Sequence, residues 1–172
     1  FDLRSSLVAV ARRHGVTSVV SAPSGGLVSG RAGWFDLLDP RDPGATDAFA
    51  GLVALHVWLG EAGATAVGSS RAAALARLRG VFEDVRAYRT SAGSFRRNAL
   101  QGLSAGRLDV EAAVPVVERR LPVVIEVHRA ADIRAALRFV EEARIDAVLL
   151  GASEGWLVAD ELARSGVPVI VD

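Results

Sequence analysis

The chain has 172 residues, a length suited to a single domain. Hydrophobic residues make up 51% and charged residues 23%, enough apolar material for a packed core and unlike a disordered or collagen-like composition. Twenty basic residues balance twenty acidic ones, so there is no overall positive field to draw in nucleic acid or an anionic membrane.

Cysteine is absent, which removes disulfides, thiolate metal ligands and cysteine nucleophiles together. A metal would have to bind through His, Asp or Glu. Methionine and lysine are absent as well, and all twenty bases are arginine. That bias fits the coding habit of a GC-rich bacterial genome, and a start at Phe1 predicts a piece of something longer. Asp2, Arg4, Arg12 and Arg13 interrupt any signal-peptide pattern. No uninterrupted apolar run reaches the length of a spanning helix.

Leu3, Leu7, Val10 and Ala11 recur at helical spacing and His14-Gly15 closes the run, predicting a helix over 3–14. Val16 to Val20 is a β-branched strand, followed by a loop at Ala22 to Gly26. Gly30 to Gly33 read as loop, residues 34–38 as a short strand, and Asp39 to Gly44 as a breaker. Phe49, Leu52, His56 and Leu59 share a helical face after a Thr46 cap, predicting a helix over 47–60, with a small-residue linker at 61–68. Leu75, Leu78, Phe82 and Val85 mark a long amphipathic helix over 70–89, and 90–108 is the least regular stretch.

The last third carries two β-to-α units: a strand at 123–127, a helix at 130–144, a strand at 147–150, a helix at 154–164 begun by Ser153, and a strand at 167–171. Strands so spaced imply parallel pairing with right-handed crossovers, and their continuous apolar character fits coverage by helices. The fold class is α/β, with five strands in all. A complete eight-stranded barrel needs more chain than this.

Gly25 to Ala32 resembles a phosphate loop only in its glycines, because Arg31 and Ala32 stand where Lys and Ser/Thr are needed. The three histidines form no His-x-His or His-Glu-x-x-His pair. His14 suits a helix C-terminus, and His56 suits a satisfied core or subsite position. Glu126, His128 and Arg129 sit at the C-terminal end of a parallel strand, where ligand groups converge in α/β folds, and alternation puts Glu126 and His128 on one side. A carboxylate in an apolar strand needs a partner, so Glu126 meets a metal, an Arg or a ligand, or makes an internal salt bridge. Asp132 is explained by the helix dipole. Ser153 as N-cap and Glu154 in the first turn account for each other, and no base for Ser153 is identifiable, which argues against a serine hydrolase.

The segments Gly15 to Val20, Ala22 to Gly30, Leu55 to Gly60, Gly68 to Arg71, Leu121 to Ile133 and Gly151 to Leu162 together resemble, in order, metal-dependent amidohydrolases of the imidazolonepropionase-like branch. The resemblance covers most of residues 7–172. It implies a (β/α)8 TIM barrel that hydrolyses carbon–nitrogen bonds of amides or cyclic amides, using one or two divalent metals such as zinc to activate water and polarise the carbonyl.

Such enzymes take a His-x-His pair from the first strand, histidines from the fifth and sixth, and an aspartate from the eighth. The fifth-strand histidine falls on Glu126, with His128 two residues on, and the sixth falls on Gly151 or Ala152, which cannot ligate through a side chain. The first and eighth strands are expected before Phe1 and after Asp172. Carried over are Glu126 and His128 as metal ligands and Arg129, Ser153 and Glu154 as substrate-rim residues, with no catalytic residue assigned. The expectation is an incomplete barrel of the second to seventh strands, inactive as a fragment, whose parent takes a small-molecule amide. Its open apolar edges dispose it to form a homo-oligomer. The alternative is a catalytically degenerate barrel relative that binds a small ligand or a partner. A third reading is an independent open α/β domain.

Overall fold

The computed structural model describes residues 2–39, 41, 47–98 and 106–171. Six strands, β1 (Ser18–Ser21), β2 (Val28–Asp36), β3 (Phe49–Trp58), β4 (Val123–Val127), β5 (Ala147–Gly151) and β6 (Val169–Val171), lie side by side in chain order. β3 to β6 run parallel, whereas β1–β2 and β2–β3 are antiparallel. The α/β class is as expected, but the parallel arrangement begins only at β3. The curled sheet is a half-barrel, and the closure that eight strands would give is not seen among the described residues.

The helices are α1 (Ser6–Arg13), α2 (Gly60–Ala66), α3 (Arg71–Asn98), α4 (Arg107–Val117), α5 (Ala130–Ala143) and α6 (Ala159–Ser165), with a 3-10 turn at Gly155–Val158. Ser5 caps α1 through a 3.3 Å bond from the Leu7 amide, and His14 ends it, its Nδ1 2.9 Å from the Val10 carbonyl. α3, α4 and α5 cover the parallel strands. Leu78, Phe82 and Val85 of α3, Val110 and Val116 of α4, and Ile133 and Phe139 of α5 are buried with Leu55, Val57, Val123, Ile125 and Leu149 of the sheet. Phe82 and Phe139 meet edge to face with centroids 5.4 Å apart.

The expected helix over 47–60 is instead β3, and its proposed cap Thr46 lies outside the described residues. Phe49, Leu52, His56 and Leu59 do fall at helical spacing, but the residues between them are equally apolar. Ala54, Leu55, His56 and Val57 are buried in succession, as in a strand covered on both faces. The expected loop at 30–33 lies within β2, which absorbs its glycines through register shifts at Val28/Gly30 and Ala32/Gly33. A Cβ at Gly33 would fall 2.9 Å from the Phe35 ring and 3.0 Å from that of Phe49. The short strand at 34–38 is thus the end of β2, and the sheet has six strands rather than five.

The expected linker at 61–68 is largely α2, whose Gly63 lets it approach the Trp58 carbonyl. α3 continues past 89 to Asn98, and 99–105 lie outside the described residues. α4, which has no counterpart among the sequence expectations, holds Pro115 in its final turn. No helix among the described residues is long and apolar enough to cross a membrane.

Candidate functional site

Parallel register brings the ends of β3, β4 and β5 level: Trp58 pairs with Glu126, Glu126 with Leu150, and Val127 with Gly151. Residues just beyond these pairs therefore meet on one rim. The loops are tied by backbone bonds from Leu59 to the Glu126 carbonyl (3.0 Å), Ala152 to Val127 (2.7 Å) and Glu154 to His128 (2.8 Å).

Glu126 lies between two histidines. Its Oε2 is 3.6 Å from His56 Nε2 and its Oε1 is 3.8 Å from His128 Nε2. Its side chain is 19% exposed, so the need for partners inferred from an apolar strand is met by imidazoles rather than by an arginine. His56 comes from β3 and is 5% exposed. Burial holds its pKa below the ordinary imidazole value, while the Glu126 charge pulls the other way. Its Nδ1 and the Trp58 indole Nε1 are buried without hydrogen-bond partners, and the two rings stand edge to face at 5.5 Å. His56 is thus neither helical nor satisfied, contrary to expectation.

His128 leaves the end of β4 and places Nδ1 2.8 Å from Ser153 Oγ. Ser153 therefore does not cap the following helix, and the expected helix over 154–164 is a 3-10 turn followed by α6. Glu154 serves the backbone instead. Its Oε2 accepts a 2.9 Å bond from the Ala130 amide at the start of α5, where a carboxylate suits the helix dipole. Arg129 donates to Glu61 at 3.4 Å and is half exposed. Asp132, in the first turn of α5, lies 3.8 Å from Arg71.

Trp58, Gly60, Glu126, His128, Arg129 and Asp132 line a cavity of about 100 Å³. Larger hollows lie elsewhere, two of them several times that volume. One, of about 530 Å³, touches Leu27, Ala73, Arg77 and Asp109. The other, of about 580 Å³, is at the opposite strand ends, where Arg119 and Arg134 are already paired with Asp146 and Glu161. Neither holds a histidine, and the smaller cavity carries the chemistry.

As a metal centre the rim has its donors in pairs. The two oxygens of Glu126 face different rings, and among the described residues no three His, Asp or Glu side chains form a group that could hold a metal ion. Among the described residues, the expected ligands Glu126 and His128 thus stand without a completed three-donor group.

Of the expected residues, Glu126, His128 and Ser153 are brought together, while Arg129 and Glu154 flank them on other partners. The sequence offers His56 as a core or subsite residue but does not show its pairing with Glu126, the place of Trp58 or the Ser153–His128 contact. The available signal is register: if Val127 opposes Gly151, the residues one and two places further on are neighbours.

The sequence matches no family model and no curated protein. Among solved structures it is similar to the crystal structure of an amidohydrolase from Thermotoga maritima MSB8, with a TM-score of 0.84 and 23% identity, covering 100% of this chain and 46% of that one. The chain thus spans about half the length of that protein, and over that half it has an amidohydrolase-like α/β fold.

Proposed function

We propose that the chain forms the substrate-facing wall of an amidohydrolase-like hydrolase acting on carbon–nitrogen bonds of amides or cyclic amides. The observation that carries this reading is the placement of Glu126: a largely buried carboxylate between two imidazoles, beside a cavity at the C-terminal ends of parallel strands. This is the end of the sheet at which α/β folds gather ligand groups. The shared fold with an amidohydrolase supports the reaction class, and the ordered resemblance to the imidazolonepropionase-like branch favours cyclic amides.

An amide N–H is matched by Glu126 as acceptor, and its carbonyl oxygen by the half-exposed Arg129 as donor. Ser153 adds a hydroxyl on the same rim. Because the described donors stop short of a three-ligand group, no step is routed through a metal. That same pairing of donors favours a second reading, a degenerate relative that binds a small ligand or a partner without turning it over.

Turnover separates the two. Small linear and cyclic amides are incubated with the protein and with Glu126→Gln, and amine release or ring opening is followed. The hydrolase reading, which departs from the expectation that the fragment is inactive, expects turnover that falls about 10²-fold in the variant. Binding without turnover, in protein shown to be folded by circular dichroism, overturns it in favour of the second reading.

A further inference from the structure

We propose that Ser153, His128 and Glu126 form a nucleophile–base–carboxylate array that accepts an acyl group on Ser153 from a small ester or amide without a metal ion. The Ser153 hydroxyl makes no capping bond, and its side-chain partner is His128 Nδ1 at 2.8 Å, within the reach a general base requires. The Glu126 carboxylate faces the other ring nitrogen at 3.8 Å. With a carboxylate on that side, the tautomer protonated at Nε2 leaves Nδ1 as acceptor, so the Ser153 hydroxyl donates to it.

The backbone supports this placement. A Cβ at Gly151 would lie 2.7 Å from His128 Nδ1 and closer still to Cε1, so the missing side chain makes room for the ring. Ala152, immediately before Ser153, has φ +46°, a left-handed conformation costly for a residue with a Cβ and concentrated at functional sites. Bonds from Ala152 to Val127 and from Glu154 to His128 hold the two loops at fixed separation. The exposed serine and half-exposed histidine are open to an acyl donor, while the more buried carboxylate stands behind them.

In the first half-reaction Ser153 Oγ bonds to the carbonyl carbon of the donor while its proton passes to His128 Nδ1. The bond from that carbon to the leaving nitrogen or oxygen breaks, and the leaving group takes the proton from Nδ1. Water then attacks the acyl ester, giving a proton to Nδ1 that returns to Oγ as the carboxylic acid departs. The Glu126 side chain, facing the other ring nitrogen, stabilises the imidazolium formed in each half-reaction. Every group involved lies between residues 126 and 153.

The test is covalent labelling in the presence of a chelator, with phenylmethylsulfonyl fluoride and 4-nitrophenyl acetate as probes and peptide mass mapping as readout. One adduct per chain on Ser153 is expected, absent in Ser153→Ala. Its rate should fall about 10²-fold in His128→Ala and be partly restored by added imidazole, a rescue that a merely structural histidine would not show. An unlabelled Ser153 in folded protein, or equal labelling rates with and without His128, overturns the inference. Amide turnover without a Ser153 adduct defeats this inference alone. An adduct without amide turnover sustains it and counts against the amide reading.

Discussion

The imidazole of His128 occupies the space in which a side chain at Gly151 would begin. A Cβ there would fall 2.7 Å from Nδ1, and Gly151 has φ +89°, a conformation that side chains rarely adopt. Gly151→Ala should therefore lower stability by about 1–3 kcal/mol and break the contact between His128 and Ser153. Gly155→Ala is the matched control, since its Cβ would meet only ordinary contacts at 3.4 and 3.5 Å. Urea midpoints of the two variants should separate clearly, and equal midpoints would mean that the ring does not rest on Gly151.

His56 makes stability depend on pH. Burial keeps it neutral in the folded state, below its ordinary pKa of about 6.5, whereas the unfolded chain takes up a proton near that value. Its contribution is full above about pH 6.5 and is lost as pH falls toward the lowered folded value. Urea denaturation across this window should show a steeper loss for the wild type than for His56→Leu.

The same substitution removes the unpartnered Nδ1 from the interior. At neutral pH His56→Leu should change stability by no more than about 1 kcal/mol, because removing the unpartnered Nδ1 offsets the loss of the imidazole 3.6 Å from Glu126. If amide hydrolysis depends on the His56–Glu126 pair, activity falls while stability does not. A large loss of stability would show that Nδ1 has a partner.

The last third of the chain is the most legible in the sequence. Its strands are short apolar runs bounded by well-marked helices, and β4, α5 and β5 fall within a residue of their sequence assignments. The region around β2 and β3 misleads because burial on both faces erases the period-two signal, leaving the chance spacing of Phe49, Leu52, His56 and Leu59 to suggest a helix. In β2, glycines that usually mark loops serve bulges. At the rim, Glu126 and His128 can be placed from one strand alone, whereas the Ser153–His128 contact depends on pairing between β4 and β5, which no local pattern specifies.

Phe139 joins α5 to α3 through its edge-to-face contact with Phe82, and both rings are essentially inaccessible. Phe139→Ala should cost about 3–5 kcal/mol. A smaller loss in chemical denaturation would mean that α3 collapses into the space.

The sheet has apolar residues at its margins. Val20 of β1 is exposed, as are Ile170 and Val171 of β6, Val171 at 75%. Open apolar edges favour pairing with another copy, so light scattering should show concentration-dependent association that Val171→Lys weakens. A monodisperse monomer at all concentrations would contradict this.

The most direct test of the rim as the amide site is the mapping of nuclear magnetic resonance shifts in labelled protein as a cyclic amide is added. Perturbations should centre on the Trp58 indole and the amides of Gly60, His128, Gly151 and Ser153. Shifts confined to the opposite strand ends around Arg138 and Arg144, or none at millimolar amide, would contradict it.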